Sequence, residues 1–257
     1  MGKEKIANYF NKKIENNENL FVPYIVAGDG GLDILKQRIE FLQDSGVAAI
    51  ELGIPFSDPV ADGPTIQEAS IRALENGTTL KKILDILETF KEEREVPIIL
   101  MTYLNPVYAY GIEKFAEDCA RVGVDGLIIP DVPLEEESVV ADSFTKHNIA
   151  FIRLAALTST EDRLKEIAKR SEGFLYAVSV TGTTGARATH QESVYSYLET
   201  LKKHSNVPVL AGFGVSSPEQ AHELSNYCDG VIVGSKIVDL LHHDKIDEVH
   251  NLIEASL

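Results

Sequence analysis

The amino-acid sequence predicts an α/β protein, a single-domain (β/α)8 TIM barrel over residues 1–257 with an extra N-terminal helix, on three observations. Eight short apolar runs alternate with longer amphipathic segments. The runs are apolar almost without interruption, as in parallel strands covered on both sides. The eight pairs fill a chain of 257 residues with no Gly/Ser-rich linker, which is the size of one barrel.

The predicted strands are Phe21–Gly28, Ala48–Pro55, Pro97–Tyr103, Gly126–Val132, Ala150–Leu157, Phe174–Val180, Val207–Gly214 and Gly230–Ile237. Between them, segments such as Leu32–Asp44, Thr79–Arg94 and Glu135–His147 carry helical spacing and charge. Lys3–Glu15 precedes the first strand and reads as a helix capping the barrel bottom. A doubly wound open sheet is the competing arrangement. Its G-x-G-x-x-G turn is missing, because "GFGVSSP" supplies only the first two glycines.

Composition narrows the class of function. The formal charge of −16 disfavours nucleic acid and anionic membranes as partners. Cys119 and Cys228 are far apart without metal-ligand spacing and read as free thiols in a reducing compartment. The N-terminus "MGKEKIANYF" has no apolar signal core, and about 18 consecutive apolar residues occur nowhere. A soluble cytoplasmic protein is the expectation. The seven histidines include no H-E-x-x-H or similar spacing, so no metal is expected; His242-His243 reads as a solvated helix start.

The first candidate site lies in "ELGIPFSDPVADGPT" (Glu51–Thr65). Alternation along a strand puts Ile50 and Leu52 on one face and Glu51 on the other, between Ala49 and Gly53. If Ile50 and Leu52 meet the helices, Glu51 points into the barrel, where desolvation raises its pKa towards neutrality. Such a group exchanges protons near pH 7. The alternative is an internal ion pair, but Arg153 and Lys236 are the only basic residues in the strands. Pro55, Pro59 and Pro64 stiffen the loop that follows and limit where Asp58 and Asp62 can reach. Asp58 reads as a loop brace. Asp62 is a candidate both for a second catalytic carboxylate and for the cap of the helix "TIQEASIRALENG".

The second cluster is glycine-rich. Gly212 and Gly214 close the seventh run, Gly234 and Ser235 lie in the eighth, and "TGTTGAR" (Thr181–Arg187) follows the sixth. Loops after strands seven and eight are the recurrent phosphate site of barrels, and glycines let backbone N–H groups approach an anion. Tight turns alone are the other reading. Thr181–Ser193 is small and polar, with Gly182 and Gly185 as hinge candidates, and reads as a lid or a plain loop.

Four stretches, "ELGIPFSDPVADGPTIQEA", "DVPLEE", "VSVTGTTGAR" and "GFGVSSPEQ", resemble the signatures of the tryptophan synthase α subunit family. The resemblance runs from "FVPYIVAGD" to "GVIVGSKIV". It implies cleavage of indole-3-glycerol phosphate to indole and glyceraldehyde 3-phosphate, with Glu51 and Asp62 as the catalytic pair. It further implies phosphate binding at Gly185, Gly214, Gly234 and Ser235, and pocket contacts from Tyr176 and from Tyr24, where the family often has phenylalanine. Leu100 and Leu127 are taken as inward pocket walls. No cofactor is expected in this chain. The implied partner is a β subunit carrying pyridoxal phosphate, in an αββα heterotetramer. The alternatives are a stand-alone indole-3-glycerol-phosphate lyase, another phosphosugar barrel enzyme, or a non-catalytic phospho-ligand sensor.

Overall fold

The computed structural model describes residues 2–179 and 188–257. Among them are nine strands: β1 (Leu20–Val26), β2 (Ile50–Gly53), β3 (Ile98–Met101), β4 (Gly126–Ile128), β5 (Ala150–Phe151), β6 (Arg153–Ala156), β7 (Leu175–Val178), β8 (Val209–Gly212) and β9 (Gly230–Val233). All pair in parallel, in the order β5-β4-β3-β2-β1-β9-β8-β7-β6. The two ends of that order are consecutive in the chain. Phe151 pairs with β4 and Arg153 with β7, with Ile152 between them, so the single predicted run Ala150–Leu157 closes the ring by itself. The expected eight strands therefore appear as nine segments, because one run serves two neighbours of different register.

Among the described residues twelve α-helices accompany the strands. They are α1 (Lys3–Glu15), α2 (Leu35–Asp44), α3 (Pro64–Glu75), α4 (Leu80–Thr89), α5 (Leu104–Tyr110), α6 (Ile112–Arg121), α7 (Ser138–Lys146), α8 (Glu161–Arg170), α9 (Ala188–His204), α10 (Pro218–Ser225), α11 (Ser235–His242) and α12 (Ile246–Glu254). Local chemistry sets several starts. Thr79 accepts the Lys82 N–H at 3.3 Å ahead of α4, and Pro64 and Pro218 stand in the first turns of α3 and α10, where a missing N–H costs nothing.

Several boundaries differ from the sequence reading. Leu104–Tyr110, directly after the predicted strand Pro97–Tyr103, is a helix. The eighth run ends at Val233, and Ser235 opens a helix rather than extending the strand. His242 ends α11 instead of starting a helix. Most predicted strands are two to four residues too long, because many of the residues flanking each paired segment are apolar as well.

Two apolar layers follow from the parity of the strands. Ile6 and Phe10 of α1 plug the barrel interior from below, packed with Leu20, Val22, Ala49, Ile99 and Ile128. Gly2 N–H donates to Asp125 at 2.9 Å and Lys3 N–H to the Asn148 carbonyl at 3.2 Å, fastening this helix to the N-terminal strand ends. The opposite parity, including Ile25, Ile50, Leu52 and Ile98, packs under the helices.

Candidate active site

Parity places Glu51 inside the barrel. It pairs in register with Tyr24 on β1 and Ile99 on β3, while Leu52 joins the layer beneath the helices. Glu51 is fully buried, and neither carboxyl oxygen has a hydrogen-bond partner. The ion-pair alternative fails because Arg153 shares the outward register of Leu175 and pairs with Glu137 at 2.7 Å. Burial, with the nearby Asp62 charge adding to it, pushes the Glu51 pKa up to about 8. A buried carboxyl without partners costs stability and is retained where it has a task.

Asp62 is half-buried in the loop between β2 and α3. It is not a helix cap: Gly63 occupies that position, and no side chain caps α3. Its carbonyl accepts from Gln67 Nε2 at 2.8 Å. Burial raises the Asp62 pKa, and a hydrogen bond from the Tyr103 hydroxyl opposes the rise. The two carboxyls therefore sit in unlike surroundings, Glu51 fully buried without a hydrogen-bond partner and Asp62 half-buried in a loop. Asp58 is exposed and accepts from the Ser57 hydroxyl at 2.5 Å, a local brace.

Tyr24 is buried and Tyr176 half-buried inside the barrel, and desolvation raises both phenols, with the charges of Asp62 and Glu51 adding to it. Each ring lies across a glycine on the next strand. A Cβ on Gly53 would fall 2.0 Å from the Tyr24 hydroxyl, and one on Gly212 would fall 2.4 Å from Tyr176 Cε2. Those two glycines, read from the sequence as a same-face neighbour of Glu51 and as part of the glycine-rich cluster, leave the space that the tyrosine rings occupy. A cavity of about 330 Å³ opens beside it, with Ala61, Ile129, Leu154, Ala156 and Val178 among its walls.

Leu100 and Leu127 do not reach this space. They pair in register with each other and with Leu52, and all three pack beneath the helices. The inward positions are Ile99 and Met101 on β3 and Ile128 on β4; Met101 packs against the cluster that contains Tyr24 and Val26. The correction is one residue on each strand, and it moves a side chain from the pocket to the opposite face.

Gly214, Gly234 and Ser235 come together at the C-terminal ends of the adjacent strands β8 and β9. Gly214 adopts φ +68°, a left-handed conformation that favours glycine, and a Cβ there would meet nothing. Gly234 precedes α11, whose first turn has no side-chain cap, so its leading N–H groups point out of the helix end. Gly185 lies outside the described residues, as do 181–187 of the predicted lid, and from Ala188 onward the chain belongs to α9. Among the described residues no cluster of three His, Cys, Asp or Glu side chains could hold a metal ion.

Sequence reasoning missed Tyr103. It is 4% exposed, accepts the Ala61 N–H at 3.0 Å and packs on Phe56 with ring centroids 5.5 Å apart. It stands just past β3, the strand next to β2, and so beside the loop bearing Asp62, a placement that only strand pairing reveals.

Two carboxyl groups in unlike surroundings at the C-terminal end of a parallel barrel are an arrangement found in barrel enzymes that work by proton transfer. The profile described as Tryptophan synthase alpha chain matches residues 10–256. The chain is similar to the tryptophan synthase alpha chain of Oceanobacillus iheyensis, 60% identical over 257 residues, covering all of this chain and 98% of that one. It is also 50% identical to that of Bacillus thuringiensis subsp. konkukian over 256 residues, covering 100% and 98%. The crystal structure of tryptophan synthase subunit alpha from Legionella pneumophila str. Paris superimposes with a TM-score of 0.89 at 32% identity, covering 98% of this chain and 96% of that one. The chain belongs to the tryptophan synthase alpha chain family. It is a carbon–carbon lyase of the indole-3-glycerol phosphate half-reaction, and membership implies a β-subunit partner.

Proposed function

We propose that Glu51 and Asp62 divide the cleavage of indole-3-glycerol phosphate between them. Glu51, protonated at neutral pH, delivers its proton to indole C3 and interrupts the aromatic system. The C3–C1′ bond then breaks, and its electron pair restores the indole ring. The ionised Glu51 takes the proton of the C1′ hydroxyl as the aldehyde forms, which returns the enzyme to its starting state. Asp62 stays anionic, accepts the indole N–H and stabilises positive charge developing on the ring nitrogen. The observation that carries this reading is the buried, unpartnered Glu51 beside a second carboxylate.

The substrate phosphate is assigned to the backbone N–H groups around Gly185, Gly214, Gly234 and Ser235, with Tyr24 and Tyr176 against the indole. Gly234→Asp tests the anion site. Room exists for the new Cβ, whose nearest neighbour would be Tyr24 Cβ at 3.7 Å, and aspartate is a good cap for α11. Stability should therefore hold while affinity for glycerol phosphate falls beyond detection by calorimetry. Unchanged affinity would move the phosphate elsewhere.

Docking of a β subunit over the same face is favoured by Val60 and Tyr108, exposed by 81% and 71%, in the β2–α3 loop and in α5. Tyr110, also in α5, donates its hydroxyl to Asp118 of α6 at 2.7 Å. The proposed assembly is an αββα heterotetramer in the cytoplasm, built on a single barrel domain in this chain, with pyridoxal phosphate in the partner. Among the described residues no helix is long and apolar enough to cross a membrane. The deciding experiment supplies indole-3-glycerol phosphate to the chain alone and with its β subunit, measuring indole release and complex size. No indole in either arm would reject the function. Indole without a complex or a rate change would leave a stand-alone lyase.

A further inference from the structure

We infer that Tyr103 is a positioning residue for the reaction, its hydroxyl bridging the Ala61 N–H and the Asp62 carboxylate so that the loop carrying Asp62 is hung from the end of β3. The inference rests on the role given to Asp62 under Proposed function.

The anchor is rigid on its own side. Thr102 N–H donates to the Ile128 carbonyl at 3.0 Å, and Leu104 N–H donates to the Asp131 carboxylate at 2.9 and 3.2 Å. The backbone on either side of Tyr103 is thus held by residues of β4 and the turn after it. The ring is almost wholly buried and meets Phe56, three residues after Gly53 at the end of β2. Its oxygen then accepts from Ala61 N–H at 3.0 Å, which leaves the hydroxyl proton for an acceptor. The adjacent Asp62 carboxylate is the acceptor assigned to it by this inference, in keeping with the lowering that Tyr103 exerts on the Asp62 carboxyl against the upward push of burial. Phe56 and Ala61 bracket the proline-stiffened loop at both ends, so one side chain ties both ends to a neighbouring strand. A phenylalanine would fill the same space but grip only the Phe56 end. The phenol also favours the charged form of Asp62, the form the chemistry requires.

Tyr103→Phe in the complete chain is the test, because it keeps the ring and its contact with Phe56. The melting temperature should stay close to that of the parent. Turnover should fall by roughly 10- to 100-fold, the factor associated with one charge-assisted hydrogen bond, while KM changes little. Loss of the donor raises the Asp62 pKa, so the acidic limb of the kcat profile should move to higher pH. In an Asp62→Asn background the same substitution should have little further effect. Site-specific 3-fluorotyrosine at 103 preserves the fold and strengthens the donor; the acidic limb should then move to lower pH. An unchanged acidic limb in both variants, or equal losses with and without Asp62, would overturn the inference while leaving the lyase reading intact. An Asp62→Asn variant with full activity would instead overturn the role of Asp62 itself.

Discussion

Glu51→Gln should leave the barrel folded and abolish cleavage, lowering turnover by well over the ~10²–10⁴-fold credited to one general acid or base. The loss is larger than for a single-role residue because Glu51 serves twice, first giving a proton to indole C3 and then taking one from the hydroxyl. Glutamine keeps the shape and removes both capacities. Single-turnover measurement of indole release checks it, and activity within a few-fold of the parent would remove Glu51 from the mechanism.

The same substitution should stabilise the protein. A carboxyl whose pKa is about 8 folded and near 4.5 unfolded leaves the native state holding the proton that the unfolded chain releases. Stability is then fullest below pH 4.5 and falls as the pH rises to about 8, because the folded state resists ionisation there. Full ionisation of Glu51 costs several kcal/mol by this linkage, at about 1.4 kcal/mol for each pH unit of separation. Glu51→Gln removes that slope, so its advantage in urea denaturation should be small at pH 5 and grow to pH 8. Parallel curves for the two proteins would mean that Glu51 is not held neutral by its site.

Asp62→Asn should bind substrate yet turn it over at least ~10²-fold more slowly. An amide is nearly isosteric with the carboxylate but carries no charge to oppose the cation developing on indole nitrogen. The Asp62 charge also contributes to the elevated pKa of Glu51. Without it the Glu51 acid ionises at lower pH, and the alkaline limb of the residual activity should move downwards. Pre-steady-state kinetics across pH separates the two effects. Binding lost with turnover intact would make Asp62 a binding group only.

The eight apolar runs, their spacing and their near-unbroken hydrophobicity determined the barrel from sequence alone, because parallel strands buried on both faces have that composition. Alternation around Glu51 was also sufficient, since a charge flanked by Ile50 and Leu52 has only one face open to it. The motif around it carried the family. The same composition hid the orientation of Leu100 and Leu127. Where both faces of a strand are apolar, period-two alternation leaves no contrast to read, and only the register Leu52↔Leu100↔Leu127 shows that they face the helices. The split of Ala150–Leu157 into β5 and β6 likewise depends on two different neighbours. Tyr103 was invisible for a further reason. Its partners Ala61 and Asp62 lie about 40 residues earlier in the chain, and no local pattern encodes a hydrogen bond between the end of one strand and the loop after another. Sequence settled which residues are chemically able to act; the packing of adjacent strands decided which of them meet.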